Sequence, residues 1–234
     1  MTVCSTLARG ARMRLTRLDE CGVPVVGAAS VVTTSGFVSV GVTPVYRDAD
    51  EIEVTNANAE LCITDRTCPQ FKWDELEIVF CNIDPDAWNI VTGDALVLND
   101  AVAPEAVGFR QSGNDLCTSS FALEIWSKVT GAPCTDPTEA PYGYFLFPFV
   151  VQGTVGEWTF ENEGLTLTLS AVTKAGSGWG IGPDTYLVRR DAVSGTPEQI
   201  LTPIGPDDHM HFEQVTVAPP AAACGATALP ADTP

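Results

Sequence analysis

The sequence predicts an all-β chain, a sandwich or barrel with one short flanking helix near residues 85–92. Three observations predict it. Most segments alternate apolar and polar residues with a period of two, which sends successive side chains to opposite faces of a strand. β-Branched and aromatic residues crowd those segments, and clusters of Gly, Pro, Asn and Asp separate them. Only one stretch, "IDPDAWNIVTG", has both a helix start and a helix stop. At 234 residues and 45% hydrophobic content, the chain can build one large β domain or two small ones around a buried core.

The first strand is "RMRLTRLD", with Met13 and Leu15 on one face and Arg12, Arg14 and Thr16 on the other, before the turn "ECGVP". "SVVTTSGFVSVGVTPVY" is β-branched and is broken at Gly36 and Pro44. In "DEIEVTNANAELCITD" Ile52 and Val54 alternate with Glu51, Glu53 and Thr55; the Asn-rich centre turns the chain, and Leu61 and Ile63 resume the pattern as a hairpin. "KWDELEIVFC" places Leu76, Ile78 and Phe80 inward and Glu75 and Glu77 outward. The helix follows: Asp84 suits the N-cap, Pro85 the first helical position and Gly93 the position past the end, with Ala87, Trp88 and Val91 on one face. Residues 94–119 read as a long connection with a strand at "EAVGFR".

The second half is again strand-rich. "SFALEIWSKV" alternates, and "YGYFLFPFVV" is continuous enough to be buried on both faces. In "EWTFENEGLTLTLSAVT", Trp158 and Phe160 oppose Glu157, Thr159 and Glu161, and leucines then oppose threonines. "GSGWGIGP" reads as a loop whose Trp179 seeks a partner surface. "FEQVTVAPP" is a last strand, and residues 221–234 form a flexible, small-residue tail.

Charge and composition exclude several functions. The formal net charge is −18, yet residues 1–18 hold Arg9, Arg12, Arg14 and Arg17 and no acid. An acidic body with a short basic arm repels nucleic acid instead of gripping it. Arginines interrupt the N-terminus before a signal-peptide core can form, and the longest apolar stretch is far below the roughly 20 residues of a spanning helix. The expectation is a soluble intracellular product without membrane insertion.

Both histidines lie in "DDHMH", as His209 and His211. Two ligands at strand spacing leave a tetrahedral metal site half empty, so the expected reading is polar, solvent-facing strand residues with no metal or cofactor. No nucleophile elbow or phosphate-cradling loop occurs, and no catalytic residue is expected. The eight cysteines include no Cys-x-x-Cys pair. Free thiols or late bridges are expected instead, with Cys62 and Cys68 a candidate disulfide if "LCITDRTCP" doubles back. If the strands around residues 52, 78 and 160 share one core, Glu51, Glu53, Glu75, Glu77, Glu157 and Glu161 project together as an acidic face. That face is either an ordinary solvated surface or a wall past which a polyanion slides.

The segments "RLTRLDECGVPVVG", "NANAELCITDRTCPQFK", "IDPDAWNIVTG", "YGYFLFPFVVQGTVGEWTFENEGLTLTL", "GSGWGIGP" and "PIGPDDHMHFEQVTVAPPAAACG" carry a resemblance over about residues 9–225. Together they resemble the major tail proteins of long-tailed actinobacteriophages. The resemblance implies a β-sandwich tube domain over 19–220, assembled as six-membered rings that stack into a hollow tube for the genome. It also implies a place in the virion tail after assembly in the host cytoplasm, with tail proteins at the tube ends and viral DNA passing through unbound. On that reading the six glutamates line the lumen, while Arg12, Arg14, Arg17, Trp179 and the 94–119 connection reach neighbouring subunits. Three alternatives stay open: a receptor-binding or capsid-decorating protein, a small β-barrel enzyme around His209 and His211, and a secreted disulfide-stabilised sandwich.

Overall fold

The computed structural model describes residues 6–82, 84–113, 118–130, 141–156, 158 and 165–232. Chain order begins with β1 (Thr6–Arg17), β2 (Gly27–Thr34), β3 (Phe37–Arg47), β4 (Glu51–Thr55), β5 (Leu61–Arg66), β6 (Gln70–Phe80) and α1 (Pro85–Thr92). β7 (Ala95–Leu98), β8 (Ala106–Arg110), β9 (Ser120–Thr130), β10 (Tyr142–Val155) and β11 (Leu167–Thr173) follow. The short strands β12 (Arg189–Arg190), β13 (Pro197–Glu198), β14 (His211–Val215) and β15 (Thr227–Leu229) complete the fold. It is a mostly β architecture with one short helix, as the alternation predicts.

A nine-stranded sheet runs β15-β2-β1-β9-β10-β11-β6-β3, with β14 also pairing β10. β10 is the junction. Tyr142–Leu146 lies between β9 and β14, whereas Val150–Val155 pairs with β11. The change occurs at Pro148, which cannot donate to the ladder, and the β9 register shifts there between Phe147 and Val150. As expected, β10 is buried on both faces. Met13, Leu15, Leu76, Ile78, Leu123 and Phe147 form one core with Trp88, Ile90 and Val91 of α1. Trp126, Tyr144, Leu146 and Phe149 form the other, beneath Trp179, Tyr186, Val188, Ile200 and Ile204 of the irregular segment between β11 and β14. Full burial of each such side chain contributes about 1.5–3 kcal/mol.

α1 matches its local signals. The Asp84 carboxylate accepts from Asp86 N and Ala87 N, and Gly93 at φ 76° closes the helix through its N–H to Asn89 O at 2.9 Å. The carboxylate of Asp84 also accepts from Gly225 N at 2.9 Å, and that of Asp86 from Ala226 N at 3.0 Å. Gly153 is required where α1 crosses β10, because a Cβ there would strike the Val91 carbonyl.

Several expectations are refined. The expected first strand of residues 1–18 is β1 from Thr6 onward, paired with both β2 and β9; residues 1–5 lie outside the described residues. The tail is docked, because β15 pairs with β2 and Leu229 is buried. One sheet therefore includes both β1 and β15. Ile52 and Val54 do not enter the core; they are 58% and 45% exposed, since among the described residues no further strand or layer covers β4. The long connection after α1 contains a hairpin, β7 paired with β8.

Candidate functional site

The most unusual surface is a projecting β arm. β3 and β6 pair from Phe37↔Phe80 to Arg47↔Gln70, but β11 flanks β6 only from Phe80 to Glu75. Beyond that point the two strands leave the sheet and continue as β4 and β5. The join is held by Asp50 N donating to Thr67 Oγ1 at 2.8 Å and Thr67 N donating to Asp50 O at 3.0 Å. At the tip, Asn56 Oδ1 accepts from Asn58 N and Glu60 N, each at 2.9 Å, an Asx turn that lets Ala59 sit at φ 61°. Every residue of β4 and β5 is exposed, including Ile52, Val54, Leu61 and Ile63. Val54 and Ile63 are direct cross-strand partners. An isolated two-stranded hairpin is marginal in water, and such an apolar row is costly to leave solvated. The arm has the chemistry of a surface built to be covered.

The base of the arm is clamped by the residues of "DDHMH". His209 Nδ1 lies 2.7 Å from Thr173 Oγ1, which also accepts from Asp74 N at 2.9 Å. The imidazole meets Phe71 edge-on at 4.9 Å between ring centroids, and Phe71 in turn meets Tyr46 at 5.9 Å. Burial raises the Asp74 carboxyl above its ordinary value, with His209 opposing the shift. A hydroxyl, an imidazole and an acid thus meet, but Thr173 is 3% exposed and the contact ties β11 to β6. His211 pairs instead with Glu213 at 3.3 Å. The two histidines are half-buried and engaged, not the solvent-facing strand pair expected.

The four described glutamates of the expected acidic face divide between two sheets. Glu75 and Glu77 project from β6 opposite buried Leu76 and Ile78, beside Thr43, Gln152, Thr154 and Ser170 around a hollow of about 300 Å³ of mixed lining. Glu51 and Glu53 are exposed on β4, in a separate two-stranded sheet. Glu157 and Glu161 lie outside the described residues.

Three of the four expected contact residues turn inward. Arg14 is 6% exposed and makes a bidentate pair with Glu124, Nε to Oε2 and Nη2 to Oε1, each at 2.5 Å. Tyr144 Oη donates to Glu124 Oε1 at 2.8 Å, Arg14 stacks 3.3 Å above the Tyr186 ring, and Tyr186 Oη meets Thr16 Oγ1 at 2.7 Å. Burial opposes the Arg14 charge, but Glu124 outweighs it and the guanidinium pKa rises. Burial pushes the Tyr186 phenol up to about 12 and the Tyr144 phenol well above the ordinary range. Arg17 Nη2 donates to Asn89 Oδ1 of α1 at 2.6 Å. Trp179 is buried against Tyr186 at 5.8 Å, so its partner surface is the chain's own sheet. Arg12 alone stays open to a partner: it is half-buried, and its Nε has no hydrogen-bond partner among the described residues. Sequence alternation put Arg14 and Thr16 on one strand face and Glu124 on another; it held no signal that the two faces were neighbours.

Cys62 and Cys68 are exposed free thiols. Cys62 lies in β5, which is extended to Arg66, so the segment does not double back as a bridge requires. Among the described residues no group of three or more His, Cys, Asp and Glu side chains is placed to hold a metal ion. Among the described residues no helix is long and apolar enough to cross a membrane. Compared with known families and with curated proteins, the chain matches no family model and shows no significant similarity to any curated protein.

Proposed function

We propose that the chain is a structural virion subunit that assembles with copies of itself, a tail tube subunit of the type that the long-tailed actinobacteriophage proteins represent. The observation that carries this reading is the projecting β4–β5 arm, whose exposed Ile52, Val54, Leu61 and Ile63 call for an apolar partner surface. A second copy supplies it: repeated contacts of this heterologous kind generate rings when they close and filaments when they do not. On this reading six copies close a ring, rings stack, and Glu75 and Glu77, with Glu51 and Glu53 on the arm, face the lumen. Carboxylates there keep DNA from adhering, because each favourable phosphate contact has to be broken during passage. The reading assigns no catalytic residue and no cofactor.

Electron microscopy of the purified full-length protein tests it. Rings or tubes are expected at high protein concentration. The double variant Ile52→Ser, Ile63→Ser should remain monomeric with an unchanged circular dichroism spectrum. A wild-type protein that stays monomeric at every concentration overturns the reading.

A further inference from the structure

The nine-stranded sheet ends differently on its two sides. On one side β15 covers β2; on the other, among the described residues, β3 is the last strand and pairs only with β6. Sheets commonly blunt such an edge with charges, proline or bulges, because its unpaired N–H and C=O groups accept any strand that reaches them. β3 has a bulge at its start, between Phe37 and Ser39, and Pro44 near its end. Residues 38–43 between them hold no charge, and all but Val40 are exposed. The two faces of this edge are unlike. Val40 and Val42 stand opposite Ile78 and Leu76 of the core, whereas Ser39, Gly41 and Thr43 stand opposite Val79, Glu77 and Glu75. Val42 is nevertheless 41% exposed and Val38 58%, so the core runs out of cover at β3.

The β4–β5 arm is two-faced in the same sense. The cross-strand pairs Ile52↔Asp65 and Val54↔Ile63 put Ile52, Val54 and Ile63 on one face, with Leu61 two residues before Ile63 and Asp65 at the base end. Glu51↔Arg66 and Glu53↔Thr64 lie on the other. In this two-stranded sheet β5 has one open edge, and its 6 residues match the span of residues 38–43.

We propose that β5 of one copy adds to the open edge of β3, along residues 38–43, on the next. The added strand supplies the missing hydrogen-bond partners, and its alternate side chains match the two faces it meets. With the apolar face of the arm on the core side, Leu61 and Ile63 cover Val38 and Val42. Of the two arm strands, β5 is the one that fits in charge. Its outer face carries Thr64 and Arg66, and among the described residues Arg66 forms no ion pair. Beside β3 it reaches Glu77 across Gly41, where no side chain stands between them. β4 in the same place would set Glu51 and Glu53 nearer Glu75 and Glu77, and like charges on neighbouring strands repel. Docked through β5, the arm brings its two glutamates onto the same sheet face as those of β6 but one strand further away. Pairing one strand with a different strand of the next copy is a heterologous contact that repeats head to tail. The inference rests on the self-assembly reading above and names the surface that receives the arm.

The test uses Cys62, an exposed free thiol of β5 that alternation places on the face of Thr64 and Arg66. Ser39→Cys, Gly41→Cys and Thr43→Cys are made one at a time in the full-length protein, with Val193→Cys on the β12–β13 turn as the control. Assembled protein is oxidised with copper phenanthroline, and the disulfides are mapped by mass spectrometry. A disulfide from Cys62 of one copy to position 39, 41 or 43 of another is expected, with none to position 193. Val38→Lys puts a charge on the core side of the edge and should weaken association about tenfold or more without changing the circular dichroism spectrum. Arg66→Glu should weaken it too and be rescued by Glu77→Arg in the same chain. Assembly that tolerates Val38→Lys, or Cys62 disulfides that never reach β3, overturns this contact and leaves the arm reading intact. A wild-type chain that never associates overturns both.

Discussion

β6 and β4 carry the same kind of sequence, glutamates alternating with large apolar residues, and they meet opposite fates. In β6, Leu76 and Ile78 are 1% and 0% exposed; in β4, Ile52 and Val54 are 58% and 45% exposed. The difference is what lies across from them. β6 is flanked by β3 and β11 and faces α1 and β1 across the core, whereas among the described residues β4 has only β5 beside it and nothing above or below. Period-two alternation specifies that a strand has two unlike faces. It does not specify that the apolar face is buried within the same chain.

The largest expected effect lies in the body. Arg14→Ala leaves Glu124 buried without its cation and removes the stack on Tyr186, and should cost about 3–5 kcal/mol in urea unfolding. Combining Arg14→Met with Glu124→Leu should recover most of that loss. If Arg14→Ala were neutral, the body would not be organised around this pair.

A direct contrast between the regions comes next. Ile78→Ala should cost about 2–5 kcal/mol, because it opens a cavity in a packed core. Ile63→Ser on the arm should change monomer stability by no more than about 0.5 kcal/mol, as solvent-facing substitutions do. Equal losses at the two sites would mean that the arm is packed on its own body.

Alkaline pH gives the most gradual effect. Unfolded, the Tyr186 phenol ionises near 10; folded, burial raises it to about 12. Between these values the unfolded state holds fewer protons, so this stabilisation is complete below pH 10 and is lost as pH rises through 12. The loss should total about 2–3 kcal/mol, and Tyr186→Phe should flatten the stability profile across that window. An unchanged slope in the variant would place the alkaline transition elsewhere.

The sequence alone determined those features whose causes are local. Asp84, Pro85 and Gly93 act within a few residues of the helix they bound, so α1 was legible from Pro85 to Thr92. The β4–β5 turn was equally legible, because Asn56 closes it on its own neighbours. The alternation of β1, β6, β9 and β11 likewise named the residues of the core. Only the tertiary structure decided which faces meet. Arg14 and Glu124 are 110 residues apart, and their pairing depends on the register of β1 on β9, which a strand's own pattern does not encode. The same holds for Trp179 and Leu229, which lie in glycine-rich and small-residue segments with no periodicity of their own. They are buried because the second face of the sheet offers an apolar surface, and covering it with the chain's own loops removes that area from water.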